Sequence, residues 1–431
     1  MSDDTSRTAV IRDHAQKRDG VAEKLLAGLL QDLFEVEASN VTINYDQYSL
    51  NSLNGFFDDG NQHYFFKFHQ EEGETAMSGE YYRADIVARA GLPVDQPVMM
   101  STLPGEQILA YKRRTDPRFS DVLRALDVDY DATAAQRAID AEEELNRIVL
   151  SVYLKTLHPV SADQVAGEPV HRLFHDRLVN AAHAYPGGRL ASFYIGKDFA
   201  FPGVTLSWAE FSTAQFVING IAYRRTIGEL FDAAYARLQP AALADGGVTA
   251  HGDAHNANVW YQPEGERASL SFFDPAFAGE HIPALLAEIK TTFHNILAHP
   301  FWLYDPAIAQ NRFHATATYS SGRLFADFDW QLSPVREALL VVKAEAMWKP
   351  LLAELKSRHM LPPDWRQVIR LGLFLCPTLV MNLRAGATTH NPTSSLIGFS
   401  VALMAGSEPL AGEDVITRFL DTIDPDRSTI S

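Results

Sequence analysis

The sequence predicts an α+β chain, with a small β-rich part followed by a large, mainly helical one. Three observations predict this. Two stretches rich in aromatic and β-branched residues, "VTINYDQYSL" and "HYFFKFHQ", stand near the start, and amphipathic patterns of helical period fill most of the chain after Asp116. Short strand-like runs, "NVWY" and "LSFFD", then interrupt the helices around one polar motif.

Taken in order, "GVAEKLLAGLLQDLF" puts Leu25, Leu26, Leu29, Leu30 and Phe34 on one helical face. The two aromatic stretches read as strands, joined by "NSLNGFFDDGNQ", whose Asn and Gly content marks a turn. A helix follows in "SGEYYRADIVARAG", with Ser78 as its N-cap and Gly91 at its end. Two short strands about a Pro-Gly turn, "PVDQPVMMSTLPGEQILAYKRR", complete the β-rich part. The later helices are expected in "TAAQRAIDAEEELNRIVLSVYLKTL", "GIAYRRTIGELFDAAYARL", "PALLAEIKTTFHNILA", "PVREALLVVKAEAMWKPLLAELKSRH" and "DWRQVIRLGLFLCPTLVMNL". The expected division is a helical extension over 1–40, a β-rich lobe over 41–114 and a helical lobe over 115–431.

Composition narrows the function classes. With 431 residues, 46% of them hydrophobic and 21% charged, the chain can bury two or three sizeable cores without staples. Its lone cysteine, Cys376, excludes a disulfide framework or a multi-cysteine metal site, and fits a cytoplasmic protein. The polar start lacks the apolar core of a secretory signal, and "VIRLGLFLCPTLVMNLRAG" is interrupted by Arg370 and Arg384, so a membrane partner is not expected. A formal charge of −17 argues against nucleic acid as a partner and tilts the expected small-molecule substrate toward an amine. Glu142, Glu143, Glu144 and Glu280 are the acids considered for that amine.

The chemistry concentrates in "HGDAHNANVW". Asp253 and Asn258 stand five positions apart in a turn before a strand, and Asp274 follows sixteen positions later at the end of another. Such an arrangement suits a magnesium-phosphate centre: Asn258 and Asp274 offer hard oxygen ligands, while Asp253 can hold a hydroxyl for attack on phosphorus.

"HGDAHNANV" with "FFDPA" resembles the catalytic and metal loops of the aminoglycoside phosphotransferase and choline kinase superfamily, relatives of protein kinases. The resemblance implies a two-lobed protein-kinase-like fold that binds ATP and magnesium in the cleft between its lobes. By the same resemblance, Asp253 is the catalytic aspartate, Asn258 and Asp274 bind magnesium, and His251 and His255 support the loop. The family also implies a lysine on the third strand, met by Lys67, and a glutamate on the following helix, met by Glu80. Ser49, Asn51, Ser52 and Asn54 would cover the phosphates in place of a glycine-rich loop, and the backbone near Tyr111, Lys112 and Arg113 would meet adenine.

The expected function is transfer of the γ-phosphate of ATP to a hydroxyl of a small acceptor: an aminoglycoside, amino sugar, sugar, nucleoside antibiotic or choline-like alcohol. Two alternatives stay open, a metal-dependent hydrolase ligating through His251, Asp253 and His255, and a nucleotide-binding pseudokinase. The chain contains neither the GxSxG elbow of a serine hydrolase nor the GxxxxGK[ST] loop of a P-loop enzyme. His294 and His299 read as structural histidines.

Overall fold

The fold is α+β, as expected. The computed structural model describes residues 6–44, 52–69, 83–101, 103 and 105–427, in two compact units. The smaller comprises Met1–Ala88 with Pro93–Asp116, and the larger Arg89–Leu92 with Pro117–Ser431.

The small unit is built on an antiparallel sheet of five strands, β1 (Ser39–Ile43), β2 (Ser52–Asp59), β3 (Gln62–His69), β4 (Met99–Ser101) and β5 (Ile108–Lys112), in the order β1-β2-β3-β5-β4. Helices Arg7–Lys17 and Ala22–Phe34 share its core, where Ile11, Leu26, Leu29 and Leu30 cluster with Phe57, Phe66 and Ile108. Burying side chains of this size stabilises by about 1.5–3 kcal/mol each. Leu25, expected on that face, is 37% exposed instead, at the margin of the apolar stripe.

One expectation here is corrected. Ser52–Asp59 forms a strand, where "NSLNGFF" reads as part of a turn. Gly55 misleads because its glycine serves packing: a Cβ there would lie 1.9 Å from the Thr42 carbonyl oxygen of the neighbouring strand. The real turn comes at Gly60, whose φ is 57°. The extra strand makes the Lys67 strand the third. The helix expected in "SGEYYRADIVARAG" is seen over Ala84–Ala90 and ends at Gly91, with φ 105°; Ser78 and Glu80 lie outside the described residues.

In the large unit, Asp131 caps the helix Ala132–Thr156 by accepting from the Ala134 N–H. The expected "DWRQVIRLGLFLCPTLVMNL" helix spans Trp365–Val380 and is buried along most of its length; Arg370 donates to the carbonyls of Met404, Ala405 and Ser407. Among the described residues no helix is long and apolar enough to cross a membrane.

A second correction concerns "GIAYRRTIGELFDAAYARL". The helix begins only at Ile227, behind a Thr226 to Glu229 capping box. Asn219 and Gly220 both have positive φ, 46° and 83°, and turn the chain between strands Gln215–Ile218 and Ile221–Ala222. These join Ala315–Ser320 and Arg323–Phe328 in a four-stranded sheet that the helical patterns give no hint of. Its strands are too short to stand out by periodicity alone.

Candidate active site

The large unit carries the motif on a short strand, Gly247–Ala250, which pairs antiparallel with Gly279–Pro283. The chain then turns at Gly252, whose φ is 77° and whose Cβ would lie 2.1 Å from the Phe277 carbonyl oxygen. Only glycine fits both demands. Gly252→Ala is expected to destabilise the folded protein by about 1–3 kcal/mol through backbone strain, read from denaturant midpoints.

His251 ties the two loops together. It is buried, its Nε2 lies 3.0 Å from the Phe273 carbonyl oxygen, and its Nδ1 accepts from the Asp253 N–H at 3.4 Å. Burial lowers its pKa, so the ring is neutral with its hydrogen on Nε2. Asn258 ends the turn. Its Nδ2 donates to the Asp253 carbonyl at 2.9 Å, and its own carbonyl accepts from the Phe273 N–H at 3.0 Å. Val259 pairs with Phe272 in the hairpin that follows, so Asn258 and Asp274 stand at the same hairpin end. Asp274 has φ 57°, a left-handed conformation uncommon outside glycine and of the kind held at functional sites.

Asp253 is the electrostatic centre. Lys290, only 4% exposed, places Nζ 3.0 Å from Oδ1, and His255 Nε2 lies 3.6 Å away. Burial alone would raise the carboxyl pKa, but the nearby Lys290 ammonium foremost outweighs it and holds the group down at about 2. His255 is itself pushed to about 4, first by burial, and its Nδ1 accepts from the Ala257 N–H. With Nδ1 accepting, a neutral ring carries its hydrogen on Nε2, which stands 3.6 Å from Asp253.

The loop is held from below. The Asn256 N–H donates to Asn295 Oδ1 at 2.7 Å, from a wide π turn over Phe293–Leu297. Asn295 Nδ2 reaches Glu142 Oε1 at 3.4 Å, and its carbonyl accepts from Arg336. Removing the acceptor strands a buried N–H, so Asn295→Ala is expected to lose about 1–3 kcal/mol of stability in denaturant titrations.

Glu142, considered for a substrate amine, is therefore part of a buried network with Lys343 (3.6 Å), which also meets Glu288 at 3.0 Å. Glu143 and Glu144 pair with Arg147 on an exposed helix face, and Glu280 is exposed. His294 is buried beside His255, ring centroids 5.3 Å apart, while His299 lies 3.7 Å from Asp127.

In the small unit, Lys67 on β3 stands opposite Asn54 on β2 and Leu109 on β5. Asn54 belongs to a strand rather than to a phosphate loop, and its Oδ1 accepts from Asn44 Nδ2 at 2.9 Å. Tyr111 is buried in β5 opposite Phe65. Arg113 lays its guanidinium 4.4 Å over the Phe56 ring and commits its N–H to the His63 carbonyl at 2.9 Å, so that N–H is not available to a base. Glu80, Ser49 and Asn51 lie outside the described residues, as does the side chain of Ser52.

Lys290 and Asn295 are missed by the sequence reading. A signal existed for the first: one lysine inside the apolar run "PALLAEIKTTF" is costly unless paired.

Asn258 and Asp274 suit a magnesium ion. The Asn258 amide nitrogen is committed to Asp253, which leaves its Oδ1 as a hard oxygen donor beside a carboxylate. The transition-metal alternative fits poorly, because His251 has both ring nitrogens engaged. Among the described residues there is no group of three or more His, Cys, Asp or Glu placed to hold a metal.

Neither protein-family models nor curated proteins give a match to the chain. Solved structures do. A thermostable mutant of aminoglycoside phosphotransferase APH(4)-Ia is 11% identical over 88% of this chain and 98% of its own, with TM-score 0.43. The chain is similar to small-molecule phosphotransferases. Spectinomycin phosphotransferase APH(9)-Ia, solved with ADP and spectinomycin, is 13% identical over 89% of this chain and 97% of its own, TM-score 0.39. A microcompartment-associated aminopropanol kinase is 11% identical over 88% and 94%, TM-score 0.39. Likenesses this distant leave the functional reading to the chain's own residues.

Proposed function

We propose that the protein is a kinase that passes the γ-phosphate of ATP to a hydroxyl group of a small molecule. The observation that carries this reading is Asp253: a largely buried carboxylate paired with Lys290 in the turn that follows a strand, its main-chain carbonyl hydrogen-bonded by the Asn258 amide. Phosphoryl transfer needs positioning and charge neutralisation more than covalent help from the protein.

The proposed roles are as follows. Asp253 accepts the hydrogen bond of the acceptor hydroxyl and aims its oxygen. A carboxyl group with pKa about 2 is a weak base, so it orients the hydroxyl through most of the reaction and takes the proton late. Asn258 and Asp274 would hold magnesium, which supplies charge neutralisation on the phosphates when bound. Lys67 meets the nucleotide phosphates from β3 as a point charge. His255 would support the loop from beside Asp253, and His251 locks the Asp253 turn to the Asp274 loop.

The test is transfer of labelled γ-phosphate from ATP by the purified chain across aminoglycosides, amino sugars, nucleosides, sugars, hydroxy acids, sugar phosphates and choline. Acceptor-dependent transfer that stops on chelating divalent cations is expected. Absence of both transfer and MgATP binding would overturn the reading.

A further inference from the structure

The large unit holds a pocket that the phosphate-handling residues do not line. Its volume is about 380 Å³, within the roughly 300–1,000 Å³ of small-molecule sites, and it opens between helices Gly188–Phe193, Trp208–Thr213 and Ile227–Arg237. Tyr185, Leu190, Trp208 and Phe231 form its apolar walls, and Glu229 and Asp232 stand at its exposed side. A buried helix separates it from Asp253. On Trp365–Val380, Phe374 packs against Phe231 with ring centroids 4.8 Å apart, while a Cβ on Gly372 would lie 3.0 Å from Ile289, the neighbour of Lys290. Two positions are about 200° of helix, so the pocket wall and the Lys290 segment meet opposite faces.

The walls are set before any ligand arrives. Tyr185 stacks on Tyr235, with centroids 4.2 Å apart and planes 11° from parallel, and Tyr235 stacks in turn on buried His175 at 5.7 Å. The Tyr185 hydroxyl donates to Asp232 Oδ1 at 2.6 Å, which ties the acid to the ring. Trp208 is held by Phe199 and Phe231, centroids 5.9 and 6.5 Å away, and begins a helix behind a Ser207 to Glu210 capping box. Glu229 Oε2 accepts from the Thr226 N–H at 2.8 Å at the start of the helix that carries Asp232. Three positions apart, the two acids share one helix face.

No positive charge answers these acids. Among the described residues neither Glu229 nor Asp232 has an ion-pair partner, and no lysine or arginine lines the pocket. An exposed carboxylate attracts a cation only weakly, because water screens the pair. The aromatic walls add what the acids lack: the face of Trp or Tyr draws a cation, and the same faces bury an apolar body. Acids and rings around one cavity, with no cation competing, select for charge and shape together.

We propose that this pocket is a second ligand site, for a small organic cation with an apolar body. The body fills the aromatic walls while the ammonium faces Asp232 and Glu229. The site is independent of the kinase reading, since none of its walls handles phosphate.

Three probes of nearly one shape, none with a hydroxyl to accept phosphate, test it. Phenethylammonium, phenylacetamide and phenylacetate are titrated into the nucleotide-free protein by ligand-observed NMR. The cation is expected to bind about 3- to 30-fold more tightly than the neutral amide, and the anion more weakly still. Glu229→Gln combined with Asp232→Asn keeps both hydrogen-bond acceptors and removes both charges, so it should cut the cation's advantage about 2- to 10-fold. Trp208→Ala should weaken all three probes about fivefold or more, and Trp208→Phe should restore part of the loss. Asp253→Asn should leave all three affinities unchanged.

No saturable binding of phenethylammonium, or an amide that binds as tightly as the cation, overturns the proposal. A cation advantage unmoved by the double variant overturns it as well, because the selecting charge would then lie elsewhere. Binding lost in Asp253→Asn but kept in Trp208→Ala would put the amine at the catalytic centre and remove the second site. A protein without phosphoryl transfer or MgATP binding that still binds phenethylammonium through Asp232 and Trp208 would lose the kinase reading and keep this one.

Discussion

Asp253→Asn is expected to lower kcat by about 10²- to 10⁴-fold, with little change in the KM for MgATP. The substitution keeps the shape of the side chain and removes its charge. The amide that replaces the carboxylate could still touch the acceptor hydroxyl, but it could neither polarise the O–H bond nor accept its proton. Single-turnover phosphoryl transfer beside a MgATP binding isotherm checks this, and a variant that keeps a tenth of wild-type kcat would remove Asp253 from the chemistry. The variant also leaves the Lys290 ammonium buried without its carboxylate. The double variant Asp253→Asn, Lys290→Met should therefore be more stable than Asp253→Asn alone while remaining inactive, which a double-mutant cycle would show.

Lys290→Met carries the second large effect, read on two instruments. Asp253 has its pKa depressed to about 2 largely against its own burial. With the cation gone, burial dominates and the carboxyl pKa rises, by about 1–3 units for loss of a close opposite charge. The sign is fixed. Asp253 works as a carboxylate, so activity falls as pH drops through its pKa, and the acid limb of kcat/KM moves to higher pH in the variant. For stability, a carboxyl depressed from 3.8 to about 2 on folding contributes at pH above the unfolded value. That contribution is lost as pH falls through the folded value. Breaking a buried pair from one side costs about 3–5 kcal/mol, seen as a lowered denaturant midpoint at neutral pH. An acid limb that stays in place would mean that Lys290 does not set the ionisation of Asp253.

The parts of this site legible in the sequence are those whose partners lie close along the chain. Asp253 and Asn258 share one turn, and the Asn258 amide hydrogen-bonds back to the Asp253 carbonyl. Asp274 is reached through one hairpin, because Val259 and Phe272 are paired neighbours. Gly252 can be read as a forced turn residue, and Lys67 as a cation set in an aromatic strand. Local constraint writes itself into local spacing.

Two elements mislead for the opposite reason. Gly55 resembles a turn glycine, but the Thr42 carbonyl, a neighbour only across the sheet, is what excludes a side chain. The Asn219-Gly220 turn reads as part of a helix because the strands it joins are short and are stabilised by Arg323–Phe328, more than a hundred residues on.

The sequence by itself determined the α+β class, and it singled out the acid, amide and acid that are proposed to handle a phosphate. Only the tertiary structure decided the electrical character of the site. Lys290 stands 3.0 Å from Asp253 across a gap of 37 positions. A net charge of −17 counts every side chain equally. Coulomb interactions do not: solvent and salt screen the exposed acids within about 8–10 Å, while a buried cation beside a carboxylate acts at nearly full strength.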